Sequence, residues 1–176
     1  MKNLKRDLES LREKVERLRK TNFDPPPNNP IEFCEQILKF KPTSYQTNFL
    51  QEESKRIALL WSRQSGKSHT IAAKAIWFSC THDKTLTLIV APSLRQSMIL
   101  SDKIQDFLAI LSPNRRKNWV AKQQRTVIRF KNGSRIIALP CSEHLLRGYT
   151  SHVVIADEAN FFANDENIFY SIIFPM

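Results

Sequence analysis

Apolar positions recur at two different periods along this chain, and the change of period marks its organisation. Leu4, Leu8, Leu11, Val15 and Leu18 alternate four and three residues apart, a heptad seam that predicts a helix over residues 1–20. Glu13–Arg17 and Glu16–Lys20 add i,i+4 pairs of about 0.3 kcal/mol each. The seam is shorter than three heptads, so two readings stay open: a helix docked on its own domain, or one that associates with a partner. Asp24-Pro-Pro-Pro-Asn-Asn-Pro30 then breaks any helix and reads as a semi-rigid spacer. The expected organisation is an N-terminal amphipathic helix over 1–24, a Pro-rich linker over 25–30, and a main domain over 31–176.

Within the main domain, Ile31 to Phe40 reads as a short amphipathic helix. Thr43-Ser-Tyr-Gln-Thr-Asn-Phe-Leu50 opens another, with Thr43 or Ser44 as N-cap. Continuous apolar runs predict strands over 57–61, 85–92 and 153–156, and helical periodicity predicts helices over 67–80, 93–111 and 165–173. Residues 126–130 and 135–139 flank Lys-Asn-Gly-Ser, and Asn-Gly suits the type I′ turn of a β-hairpin. Strands alternating with helices predict a three-layer α/β sandwich around a mainly parallel sheet.

Two of these strands lead into candidate chemistry. Ile57 to Trp61 feeds Ser62-Arg-Gln-Ser-Gly-Lys-Ser68, a candidate phosphate-binding loop. Backbone N–H groups of Ser62, Arg63, Gln64, Ser65 and Gly66 would hold phosphate oxygens at a helix N-terminus. Lys67 would reach the β- and γ-phosphates, and the Ser68 hydroxyl would ligate Mg²⁺. Trp61 stands where the first glycine of such loops belongs, so a polar turn capping a helix is the competing reading. Val153 to Ala156 feeds Asp157-Glu158, where Asp157 would hold the metal and Glu158 would polarise the attacking water; taken alone, the pair also fits a solvated turn. The two motifs, in this order and each behind a strand, point to a nucleoside-triphosphate site using Mg-ATP.

Composition narrows the partners. The chain has 176 residues, 41% of them hydrophobic, enough for one domain with its own core. Twenty-seven Lys and Arg against 17 Asp and Glu give a net charge of +10, which favours a polyanion such as nucleic acid. Between Asp106 and Glu143 there is no acid, only Arg115, Arg116, Lys117, Lys122, Arg125, Arg129, Lys131 and Arg135. Arg115, Arg116, Lys117, Lys122 and Arg125 are the candidate DNA contacts; the alternative is a solvated hairpin whose charges protect an edge strand. Three scattered cysteines suggest neither a disulfide framework nor a zinc site. No apolar run is long enough for a membrane span and no secretory signal opens the chain, so no membrane partner and a cytoplasmic setting are expected.

The Arg-Gln-x-Gly-Lys-Ser loop resembles the glycine-poor, arginine-containing loop of the large terminase subunits of tailed viruses and prophages. The resemblance extends over residues 40–176 through Tyr45-Gln46, Val90-Ala-Pro-Ser93, Gly133 to Pro140, Leu146-Arg-Gly148 and Val153 to Ala159, in that order. It implies a P-loop ATPase domain that uses ATP and Mg²⁺ to thread double-stranded DNA into a capsid. Gln46 would contact adenine with Tyr45 beside it, and Arg63 or Arg147 would act on the γ-phosphate as an arginine finger. A ring homo-oligomer, a small terminase subunit and a portal are the implied partners, in the host cytoplasm. The family pattern continues past Asp157-Glu158 with a further strand and a nuclease domain, so residues 31–176 read as an incomplete ATPase domain, truncated after the acidic motif and weakly active or inactive alone. A fragment of a two-lobed DNA or RNA helicase, and a non-catalytic basic DNA- or partner-binding remnant, are the alternatives.

Overall fold

In a computed structural model, residues 12–13 and 24–175 are described. Arg12 and Glu13 are helical; the rest of the heptad seam lies outside the described residues. Five strands form one sheet in the order β2-β3-β4-β1-β5, where β1 is Leu86–Ala91, β2 Val120–Gln123, β3 Val127–Phe130, β4 Arg135–Pro140 and β5 Val153–Ala156. β1 runs parallel to β4 and to β5, whereas β2, β3 and β4 form an antiparallel meander, so the sheet is mixed rather than mainly parallel.

All six residues of β1 are buried, as expected of a continuous apolar run inside a parallel pair of neighbours. Strand alternation divides the apolar residues between two cores. Leu86, Leu88, Val90 and Ile137 pack with Leu146, Phe162, Ile168 and Ile172 on one face. Ile89, Ile128, Phe130, Ile136 and Ala138 pack on the other with Phe33, Leu38, Leu50, Ala72, Ile76, Leu100, Ile104 and Phe107. Helices thus cover both faces, giving the expected three layers.

The helical turn α1 (Pro30–Glu32) starts at Asn29, whose side chain accepts from Ile31 N, and continues as a π-helix over Phe33–Ile37. α2 is Ser44–Gln51, with Thr43 as N-cap in a capping box closed by Gln46. α3 is Lys67–Thr81 and α4 is Leu94–Ile110, capped by Ser93. α5 (Pro113–Trp119) and β2 have no counterpart in the sequence expectation. α6 is Glu143–Leu146, and a second π-helix spans Asn167–Ile173. Among the described residues no helix is long and apolar enough to cross a membrane.

Three further features differ from expectation or add to it. Ile57 to Trp61 is not a strand: it pairs with no strand among the described residues, and Leu60 is 98% exposed. An extended segment without a hydrogen-bonded neighbour cannot form a ladder, and β5 is paired on its β1 side alone. The hairpin turn is not type I′, because only Gly133 (φ 87°) is left-handed. Gly133 N donates to Phe130 O and Phe130 N to Ser134 O, while the Asn132 amide donates to Ser79 O and His82 O at the end of α3. Finally, the Pro-rich segment lies against the domain. Arg115 pairs with Asp24 at 2.6 Å, and the indoles of Trp119 and Trp77 donate to Asp24 O and Asn28 O.

Candidate phosphate-binding site

The C-terminal ends of β1, β4 and β5 lie at one end of the sheet, because the three strands are parallel. Asp157 follows β5 there, its N–H donating to Val90 O at 2.8 Å. Lys67, at the start of α3, lies close enough to favour the ionised form of Asp157. The two motifs, far apart in sequence, are thus within electrostatic reach of each other. Asp157 is half-buried, and its pKa is raised, first by burial and then by Glu158, against the pull of Lys67. Glu158 is exposed and left-handed (φ 53°), which turns the chain sharply as it leaves β5.

The loop has the backbone of an anion cradle. Gln64 (φ 62°) and Gly66 (φ 80°) are left-handed with Ser65 between them, the alternation that turns successive N–H groups to one side. Gly66 is the N-cap of the 15-residue α3; among the described residues no side chain caps its first N–H groups, and no acid lies in its first turn. The Ser65 hydroxyl closes the turn on Ser62 O at 2.7 Å. Ser62, Arg63 and Gln64 are exposed, while Lys67 and Ser68 are half-buried. These residues fit a phosphate with its magnesium: N–H donors at a helix start, an amine, a hydroxyl, and a carboxylate at the end of β5.

α2 holds this loop from behind. Tyr45 Oη and Gln46 Nε2 both donate to Ser65 O, at 2.9 and 3.1 Å, and Gln46 Oε1 accepts from Thr43 N at 2.9 Å. Gln46 is 5% exposed, and a Cβ on Gly66 would meet its Nε2 at 2.7 Å. Trp61 packs edge-on between Tyr45 (5.0 Å) and Phe49 (5.9 Å). Lys74 of α3 donates to Phe49 O and Glu52 O, fastening the far end of α2. The tryptophan in the first-glycine position is thus an aromatic anchor between loop and helix. That buttressing role of Tyr45 and Gln46 is absent from the sequence expectation; the aromatic at residue 61 opposite Tyr45 and Phe49 is its signal.

The candidate arginines differ in their surroundings. Arg63 is exposed and has no partner among the described residues. Arg147 follows α6 and lies 3.7 Å from Glu143, whose other oxygen accepts from Asn167. The candidate DNA contacts are not one cluster. Arg115 is held by Asp24, Arg116 donates to Gln123, and Arg125 lies 3.9 Å from Asp102. Lys117 and Lys122 are exposed.

Comparison with known proteins bears on the family and the fold. Residues 58–176 match the family described as terminase large subunit, T4likevirus-type, N-terminal. Among solved structures, the large terminase ATPase domain of Thermus phage P74-26 superposes with a TM-score of 0.66 at 22% identity, covering 82% of this chain and 62% of that one. An arginine-to-alanine mutant of the same domain gives 0.69 at 21% identity, covering 82% and 63%. At such identity the likeness establishes the fold, and the chain spans less than two thirds of either domain. No curated protein matches the chain by sequence. With the matched region covering well over half of its length, the chain belongs to the large terminase subunit family, in its N-terminal part.

Proposed function

We propose that this chain is the ATPase part of a viral DNA-packaging motor, coupling Mg-ATP hydrolysis to translocation of double-stranded DNA. The observation that carries the reading is the loop itself, in which left-handed Gln64 and Gly66 lead into an uncapped helix start at Lys67, with Asp157 at the end of β5 within electrostatic reach. The loop N–H groups and Lys67 bind the phosphates, and Ser68 and Asp157 hold Mg²⁺. Held by Ser68 and Asp157, the metal would supply positive charge against the transferred phosphoryl group. Glu158 accepts the proton of the attacking water; its exposure leaves it free to do so. The Gln46 amide keeps a second N–H and a second lone pair beyond those used on Ser65 and Thr43, sufficient to meet an adenine edge. Arg63 or Arg147 supplies positive charge to the γ-phosphate, Arg147 after releasing Glu143. A ring of such subunits, a small terminase subunit and a portal are its partners in the host cytoplasm.

Glu158→Gln separates binding from chemistry. It should bind Mg-ATP within about threefold of the parent, and whatever hydrolysis the parent shows should fall by about 100-fold or more. Undiminished hydrolysis would remove Glu158 from its role, and loss of ATP binding would make it part of the binding site instead.

A further inference from the structure

We propose that Lys122, Arg129 and Arg135 form a row that binds the phosphate backbone of duplex DNA, remote from the nucleotide loop. The proposal rests on the packaging-motor reading and names the surface that would meet the DNA. Strand pairing places the three side by side: Lys122 of β2, just past an irregularity of register after Val120, is opposite Arg129 of β3, which is opposite Arg135 of β4. Directly opposed residues project to the same face. All three side chains are exposed, and among the described residues none has an ion-pair or hydrogen-bond partner.

Like charges placed opposite one another across strands destabilise a sheet. Nothing nearby in sequence offsets them, since the acid-free stretch runs from Asp106 to Glu143. Protection of a sheet edge accounts for Lys122, because β2 is the edge strand. It does not account for Arg129 and Arg135, which lie on the inner strands β3 and β4 with no edge to protect. On the same face Val127 and Ile137 are covered by the layer containing Leu146 and Ile168, and the two arginines lie beyond that cover.

The dimensions suit a duplex. Neighbouring strands lie about 4.8 Å apart, so three cations span roughly 10 Å. One DNA strand carries a negative charge every ~3.4 Å of axis, about three over that distance. Guanidinium groups bind phosphate through paired donors, while an unpaired single strand is held chiefly by exposed aromatic platforms. Phe130, the one aromatic of the three strands that carry the row, packs with Trp119 into the core on the opposite face, so these strands offer charge without stacking. The nucleotide is not the ligand here. Arg135 begins β4, and the phosphate loop lies at the other end of the parallel strands, about 17 Å along the sheet at ~3.3 Å per residue.

The test measures duplex DNA binding by the 176-residue protein across a salt series. It compares the parent, the triple variant Lys122→Gln, Arg129→Gln, Arg135→Gln, and the charge-retaining Lys122→Arg, Arg129→Lys, Arg135→Lys. The neutral variant should bind at least tenfold more weakly, and its salt slope should flatten by about 2.7, or ~0.9 for each phosphate that is no longer neutralised. The charge-retaining variant should stay within about threefold of the parent. Melting should show no loss of stability in the neutral variant, since opposed like charges have gone. Unchanged affinity and slope in the neutral variant would overturn the row while leaving DNA binding by the parent intact. Failure of the parent to bind duplex DNA would overturn the row and the packaging-motor reading together. Displacement by polyglutamate as effective as by duplex would assign the row to an acidic protein and overturn the DNA assignment.

Discussion

Gln46 and Ser65, on separate elements, are joined by a hydrogen bond from the Gln46 amide to the Ser65 carbonyl at 3.1 Å. Because Gln46 also accepts from Thr43 N, one side chain links the start of α2 to the phosphate loop. Gln46→Ala should lower stability by about 1–3 kcal/mol, since it leaves Thr43 N–H without its partner and removes one of the two bonds to Ser65 O. Tyr45→Phe removes one bond to the same carbonyl at an exposed position and should change stability by about 0.5 kcal/mol. Urea unfolding of the two variants checks the difference; equal losses would show that Gln46 is not the principal tie.

Gly66 is required twice, by its left-handed backbone (φ 80°) and by the close approach of Gln46 to its missing side chain. Gly66→Ala should destabilise the protein by about 2 kcal/mol or more. Adding Gln46→Ala to it should remove the steric part alone, so the two losses should be less than additive. Strict additivity in a double-mutant cycle would mean that the amide does not crowd residue 66.

The raised pKa of Asp157 gives a signed pH dependence. A carboxyl whose folded pKa lies above its ordinary value of 3.8 favours folding most at low pH, and that contribution is lost as pH rises through the folded pKa. Asp157→Asn should therefore be more stable than the parent near neutral pH, with the difference vanishing at acid pH. Magnesium binding needs the ionised carboxylate and should strengthen over the same rise. Melting curves of both proteins between about pH 4 and pH 7 test this, and parallel curves would contradict it.

Glu158 holds a left-handed conformation that ordinary side chains avoid at about 1–2 kcal/mol. Glu158→Gly should relieve that strain, less the extra freedom of the unfolded chain, for a net gain of about 0.5 kcal/mol. The same change removes the proposed base. A variant less stable than the parent in thermal melts would show that the glutamate side chain makes a stabilising contact.

Much of this architecture was legible in the sequence because local pattern and tertiary context agree. The run Leu86–Ala91 is apolar throughout but for Thr87 and is buried throughout, and the helix expected over 93–111 is Leu94–Ile110 with Ser93 as its cap. The exceptions arise where a neighbour decides the outcome. Ile57 to Trp61 has the composition of a strand, but a strand is defined by its ladder, and none reaches it. Asn132 has the sequence of a I′ turn, yet its amide is drawn to the α3 carbonyls and only Gly133 turns left-handed. The candidate site was legible as motifs, Gly66-Lys-Ser68 and Asp157-Glu158, since those lie in short contiguous stretches. The buttress of Tyr45 and Gln46 on Ser65, and the alignment of Lys122 with Arg129 and Arg135, depend on residues brought together by helix docking and strand register.

The loop before α3 is proposed to be a working nucleotide site. Isothermal titration of Mg-ATP into the parent protein and into Lys67→Ala tests it most directly. Saturable binding to the parent and at least a tenfold loss in the variant are expected, because Lys67, at the start of α3, is the cation proposed to hold the phosphates. Equal affinity in the two proteins would contradict it.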